Sequence, residues 1–276
     1  MSKIYIGNTW TPWKFCKRLV TKVNDDDIFA LSAQLAYYLL LSFFPFLMFI
    51  MIMIGFSQLK SDEVLVYLST ILPQNVYQLV ESTVVEVING QKGQLILPTA
   101  LLAIWTSSSG FSAVNRGLDK AYEVKETRSY IKRTIYGIIG TVGLGIIIIL
   151  TLLLIVFGGV IRAYLIAKFP FDDIITFAWN SVRFAVIMLV MIFAFAASYY
   201  FIPAKKVMWK ECFPGAIISA LGWIVVSSLF SFYVNNFSNY SRLYGSLGAV
   251  IALMTWLYIS SFIVLLGGEI NAILLE

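Results

Sequence analysis

The sequence predicts an all-α, polytopic integral membrane protein, a bundle of six transmembrane helices with both termini in the cytoplasm. Three observations carry this. Hydrophobic residues are 59% and charged residues 13% of the 276, whereas soluble domains carry about 25% charged residues. Apolar runs long enough to cross a hydrocarbon core of about 30 Å recur along the chain, and residues 243–268 of the last one include no charged side chain. Lysine and arginine are dense in every second connection and sparse in the others, as the positive-inside rule requires.

Residues 1–27 are expected to lie on the cytoplasmic membrane surface. From Thr11 to Val23 the chain places Lys14, Lys17, Arg18 and Lys22 on one helical face and Trp13, Cys16, Leu19, Val20 and Val23 mostly on the other. This is the pattern of an interfacial helix with tryptophan at headgroup level. Asp25, Asp26 and Asp27 follow, where carboxylates can cap the first span and suit the positive end of its dipole. The acidic run and the length of the apolar stretch behind it do not fit a cleavable leader, so the first helix is expected to stay in the protein.

Residues 28–276 are expected to form the six-helix transmembrane domain. The first span, about 28–57, contains Pro45, which removes the bond to the carbonyl of Leu41 and predicts a kink. Extracytoplasmic amphipathic helices are expected at about 60–90, where Val64, Leu68, Leu72, Val76, Val80, Val84 and Val87 recur at helical spacing around Pro73. The second span, about 95–113, is the most polar: Thr106, Ser107, Ser108, Ser109 and Ser112 surround Gly110. In lipid these hydroxyls need a backbone carbonyl, another helix or water. The third span, about 136–160, has Gly137, Thr141 and Gly145 four apart, a small-residue packing face.

The fourth span, about 182–201, ends before Pro203. The fifth, about 213–234, opens on Pro214 as a helix-start proline and carries Gly215, Ser219 and Gly222. The sixth has small residues at Gly245, Gly248, Ala249 and Ala252, then at Ser260, Ser261, Gly267 and Gly268, and its uncharged run closes at Glu269. Tyr37, Tyr38, Tyr199, Tyr200 and Tyr258, near span ends, read as interfacial anchors.

Fourteen of the 20 basic residues sit in the N-terminal segment and in the connections after the second and fourth spans, including Arg116, Lys120, Lys125, Arg128, Lys132 and Arg133. The other six are Lys60, Lys92, Arg162, Lys168, Arg183 and Arg242. The net charge of +5 therefore reflects membrane topology and does not mark a nucleic-acid face. Cys16 and Cys212 lie near basic, cytoplasmic segments and are read as free thiols.

The chain contains no histidine, which excludes Ser-His and Cys-His pairs, histidine metal ligands and imidazole relays. It shows neither a phosphate-binding loop nor a dinucleotide glycine fingerprint. No cofactor, metal or catalytic set is expected, and the chain is not read as an enzyme. The polar groups at membrane depth are the candidates for a substrate or ion path: Glu269 and Asn271, Arg116, Gln34, and Ser107, Ser108, Ser109 and Ser112, with Ser42 nearby and Pro45 as the kink. Arg116 and Glu269 reach a similar cytoplasmic level and are candidates for an ion pair, or Glu269 pairs with another basic residue at that face; the alternative is that each snorkels separately to the interface.

Three stretches carry a resemblance: AQLAYYLLLSFFPFLMFI at 33–50, WTSSSGFSAVNRGLDKAYEVKETR at 105–128, and YGSLGAVIALMTWLYISSFIVLLGGEINA from Tyr244 to Ala272. Together they resemble the YihY family, also called virulence factor BrkB, of bacterial inner-membrane proteins. The resemblance implies a multi-pass inner-membrane fold and links to transport and envelope integrity. An older label of that family, ribonuclease BN, would require a cluster of His and Asp ligands or another acid-base set, which this sequence lacks. The expected function is that of a transporter-like or lipid-handling protein for a small solute, ion or lipid, with membrane lipids as partners. The alternative is a structural or interaction protein that assembles with itself or with envelope machinery. In the transport reading, protonation of Glu269 is the simplest switch.

Overall fold

The computed structural model describes residues 11–55, 69, 81, 96–129, 131–140, 143, 172–237 and 247–276, some of them by backbone alone. All regular structure among them is helical. Helix α1 spans Pro12–Asp25, α2 Ile28–Gly55, α3 Ile96–Ala121, α4 131–140 with residue 143 again helical, α5 Asp172–Phe201, α6 Trp209–Phe237 and α7 Leu247–Leu274. Within these helices, Thr176–Phe201, Trp209–Val234 and Val250–Leu274 are long and apolar enough to cross a membrane. The expected helices at about 60–90 and most of the third span lie outside the described residues.

Helix α7 is the hub, since it packs against α1, α2, α3 and α6, while α2 also packs on α3 and α5 on α6. The α6–α7 seam shows why its small residues are needed. A side chain at Gly215 would run into the backbone of Gly267 and the amide of Asn271, and one at Gly267 would meet Ser219 and Tyr199. The expected face Gly215, Ser219, Gly222 is thus the surface on which α7 lies. Farther along the seam Trp223 and Trp256 meet edge-on at 5.8 Å, and the Trp256 indole donates to Ser227 Oγ at 3.2 Å. On the other side of α7, Phe262 stacks on Phe29 of α2 at 5.1 Å. Leu189, Phe193, Val225 and Leu229 of α5 and α6 are exposed, as suits side chains that meet lipid.

Helix α2 runs unbroken through Pro45. Helix α6 begins at Trp209, so Pro214 is inside the helix and does not start it. The reason is a cap upstream: Glu211, at the third helical position, reaches back to accept the Met208 N–H at 2.7 Å, one half of a capping box. Helix α5 begins well ahead of Val182, and α3 continues past Ala113 to Ala121. Asp27 takes a left-handed backbone, φ 51°, and its carbonyl receives the Leu31 N–H at 3.0 Å, opening α2. Its carboxylate pairs with Lys120 at 3.0 Å, tying the start of α2 to the end of α3.

Lys22 departs most from the sequence reading. It is 4% exposed, turned into the bundle and away from the basic face of α1. Its ammonium donates to the Ala121 carbonyl at 2.9 Å and pairs with Glu276 at 3.2 Å and Glu123 at 3.4 Å. A cation at the C-terminal end of α3 meets the negative end of that helix, which together with the two carboxylates offsets burial. Arg18, on the next turn of α1, grips the Glu276 carboxylate with two bonds of 2.8 and 2.9 Å. Val23, Ile28 and Leu265 close the apolar contact beneath. The second half of α1 and the end of α7 therefore share one end of the bundle.

Candidate functional site

Small residues on α7 let neighbouring helices close around its last turns, and Glu269 is carried into that closure. It is fully buried, and neither carboxyl oxygen has a hydrogen-bond partner among the described residues. The charged groups that face it are Asp26 and Lys22 of the α1–α2 corner and Glu276. Asp26 lies within hydrogen-bonding reach of Glu269. Two carboxylates can only accept, so this contact becomes a hydrogen bond when one of them carries a proton. Burial holds the Asp26 carboxyl above its ordinary range, against the opposing pull of Lys22.

The other predicted site residues do not all converge here. Arg116 is half-buried with Nη2 unpartnered, and it forms no ion pair with Glu269 among the described residues. The basic group that faces Glu269 is Lys22, brought in by α1. Asn271 is buried and satisfied: its Oδ1 accepts the Gly215 N–H at 2.7 Å and its Nδ2 donates to the Cys212 carbonyl at 3.1 Å. It holds the first turns of α6 to α7.

Gln34 is exposed on the outer side of α2. Ser109 bonds weakly back to the Trp105 carbonyl at 3.5 Å, and Ser112 is half-buried. The side chains of Ser107 and Ser108 lie outside the described residues. Ser42 is buried and satisfied locally by the Leu39 carbonyl at 3.0 Å. Tyr199, expected at the interface, is fully buried between helices. Its hydroxyl lies 2.8 Å from Ser219 Oγ and donates to the Val264 carbonyl at 2.7 Å.

The profile of the family described as virulence factor BrkB matches residues 19–276. This chain belongs to the virulence factor BrkB family. Among its relatives, the ribonuclease-like protein YfkH of Bacillus subtilis (strain 168) is 38% identical over 94% of this chain and 94% of its own length. A UPF0761 membrane protein of Pseudoalteromonas atlantica is 26% identical over 96% and 88%. One of Psychromonas ingrahamii is 27% identical over 99% and 92%. No solved structure matches the chain. It is a membrane protein of the BrkB type.

In this BrkB chain the sequence block 105–128 closes a second polar node that sequence reasoning missed. Arg128 donates through Nε and Nη2 to Glu126 at 2.9 and 2.8 Å, and through Nη2 to Asn115 Oδ1 at 2.7 Å and the Ile202 carbonyl at 2.8 Å. Asn115 Nδ2 completes the ring on Glu126 at 2.6 Å. The Arg128 bonds push the Glu126 carboxyl down to about 2. Asp119 Oδ1 accepts the Ala204 N–H at 2.6 Å, while Oδ2 is buried with no hydrogen-bond partner among the described residues. Asn115 and Asp119 are one helical turn apart, a spacing that could have marked them as one inward face. Asp26 and Lys22 left no such signal, because they reach Glu269 from a different helix.

Proposed function

We propose that this chain is a six-span inner-membrane protein, both termini cytoplasmic, that moves or handles a small solute, ion or lipid through proton exchange at the Glu269–Asp26 pair. One observation supports this above the rest: a carboxyl with no exposure and no hydrogen-bond partner among the described residues, set beside a second carboxyl and a lysine near the end of a membrane helix. An ionised carboxylate so placed is costly unless it is paired, hydrated or protonated. A site that alternates among these states can couple proton occupancy to a substrate. The clustering of basic residues in the N-terminal segment and the second and fourth connections supports the cytoplasmic placement.

The name of the YfkH relative points to nuclease chemistry for that protein. Such chemistry in this chain would need an acid-base or ligand set. The sequence has no histidine, and among the described residues no three His, Cys, Asp or Glu side chains gather.

The test is native mass spectrometry of wild type and Glu269→Gln released from gentle detergent. A discrete bound molecule in the wild type that disappears in the variant supports the reading and gives the class of substrate. Ligand-free subunits in a fixed assembly, identical in the two proteins, would move the weight to a structural role in the envelope.

A further inference from the structure

The polar residues of α3 that do not reach Glu269 form an arrangement of their own. Spacings of four, three, four and four put Trp105, Ser109, Ser112, Arg116 and Lys120 on one face of the helix. Two contacts fix what runs beside it: Lys120 pairs with Asp27 at the start of α2, and a side chain at Gly110 would touch Leu39 and Tyr38 farther along α2. The two helices are therefore antiparallel, and the exposed Gln34 stands level with the turn of α3 between Ser112 and Arg116. Arg116 is half-buried with Nη2 enclosed, and no hydrogen bond or ion pair engages it among the described residues. The carboxylates of this end are committed elsewhere, Asp27 to Lys120, Glu123 to Lys22, and Asp119 to the Ala204 N–H. A guanidinium so placed in a membrane helix is costly until it meets a counter-charge.

We propose that this face of α3 binds one anionic phospholipid of the surrounding bilayer, its phosphate on Arg116 and Ser112 and an acyl chain laid toward Trp105. Charge complementarity commits the polar end: a guanidinium presents two parallel donors to a phosphate, and a hydroxyl adds a third. The other end commits the site to a lipid. Trp105 and Leu101, one turn apart, are 69% and 59% exposed, as suits side chains that meet hydrocarbon. Arg116 lies five residues, about 8 Å, before the end of α3 at Ala121, close to headgroup level. The eleven residues from Arg116 back to Trp105 span about 16 Å, close to one leaflet of a hydrocarbon core of about 30 Å. A soluble anion would answer the charge and leave this apolar stretch unused. The inference goes beyond the Glu269 reading and uses neither Glu269 nor Asp26.

Two substitutions test it in opposite ways. Arg116→Gln removes the charge and breaks no bond among the described residues. Ser112→Asp keeps the guanidinium and supplies a carboxylate one turn away, an internal counter-charge in place of the phosphate. The measurement is native mass spectrometry of delipidated protein exposed to equal amounts of palmitoyl-oleoyl phosphatidylglycerol and phosphatidylcholine. A second arm adds an excess of glycerophosphoglycerol, the anionic headgroup without its chains.

Wild type is expected to retain one phosphatidylglycerol with a preference of about fivefold, the worth of one basic residue at an anionic surface, and glycerophosphoglycerol should not displace it. Arg116→Gln and Ser112→Asp should both lose the preference. Glu269→Gln should keep it, as should Lys206→Gln, which removes an exposed lysine in the connection after α5. Equal retention of the two lipids by wild type, displacement by the headgroup alone, or a preference equal to wild type in Arg116→Gln overturns the proposal. If Arg116→Gln does not yield folded protein, Ser112→Asp decides: a preference equal to wild type overturns it.

Discussion

At the scale of single residues, Glu126 is the best-satisfied charge among the described residues. Its carboxylate receives Arg128 Nε, Nη2 and backbone N–H together with Asn115 Nδ2, at 2.6–2.9 Å. Those bonds lower its pKa from 4.5 to about 2. A depressed carboxyl contributes stability that is complete above the unfolded value and is lost as pH falls through the folded one. The node should therefore hold the connection after α3 firmly above pH 4.5 and release it toward pH 2. Partial exposure screens the pair, so its contribution is about 1 kcal/mol. Thermal unfolding in detergent checks this: Glu126→Gln should lower Tm at neutral pH and flatten the acid limb seen in wild type. Superimposable profiles would show that the ring does not stabilise the fold.

Helix α1 is held by charges more than by apolar contact. Trp13 and Val20 are exposed, while Lys22 and Arg18 reach Ala121, Glu123 and Glu276. Lys22→Met should leave the Ala121 carbonyl and one side of Glu276 without a donor, a cost of about 1–3 kcal/mol. Because α1 lies at the edge, the loss should appear as local release: trypsin should cut after Lys14, Lys17 and Arg18 faster than in wild type, with little change in Tm. Unchanged cleavage would mean that α1 is docked by something else.

This element also shows what was legible in the sequence. Periodicity gave α1 its amphipathic pattern, and the four-residue spacing of Gly215 and Ser219 marked the face that α7 covers, because helical spacing is local. Lys22 is bonded to a carbonyl 99 positions away, and no local pattern reports which face a distant helix end will cover. The same holds for Tyr199, read as an anchor but closed in by Val264 and Ser219, and for Asp26 facing Glu269. Continuous apolar runs are imposed by lipid on any helix that crosses it, so helices were legible and their mutual registers were not. Gln34 illustrates the limit from the other direction: a polar residue in an apolar run suggests an interior, yet it lies on an exposed side.

For the whole molecule, the question that orders the rest is which side of the membrane receives the end where α1 meets α7. Arg18 and Glu276 fix both to the same end, and Lys120, Asp119, Arg128 and Ala204 gather the connections after α3 and α5 there as well. These are the basic connections, the ones that the proposed topology assigns to the cytoplasm by the charge rule. The two cysteines offer a direct check, because Cys16 on α1 is exposed and Cys212 in α6 is buried. A membrane-impermeant maleimide added to intact spheroplasts should leave the protein unlabelled; after permeabilisation it should modify Cys16 and not Cys212. Cys16→Ser should then abolish the signal. Labelling of Cys16 in intact spheroplasts would invert the bundle, placing the Glu269–Asp26 pair at the outer face and removing the cytoplasmic proton from the proposed exchange.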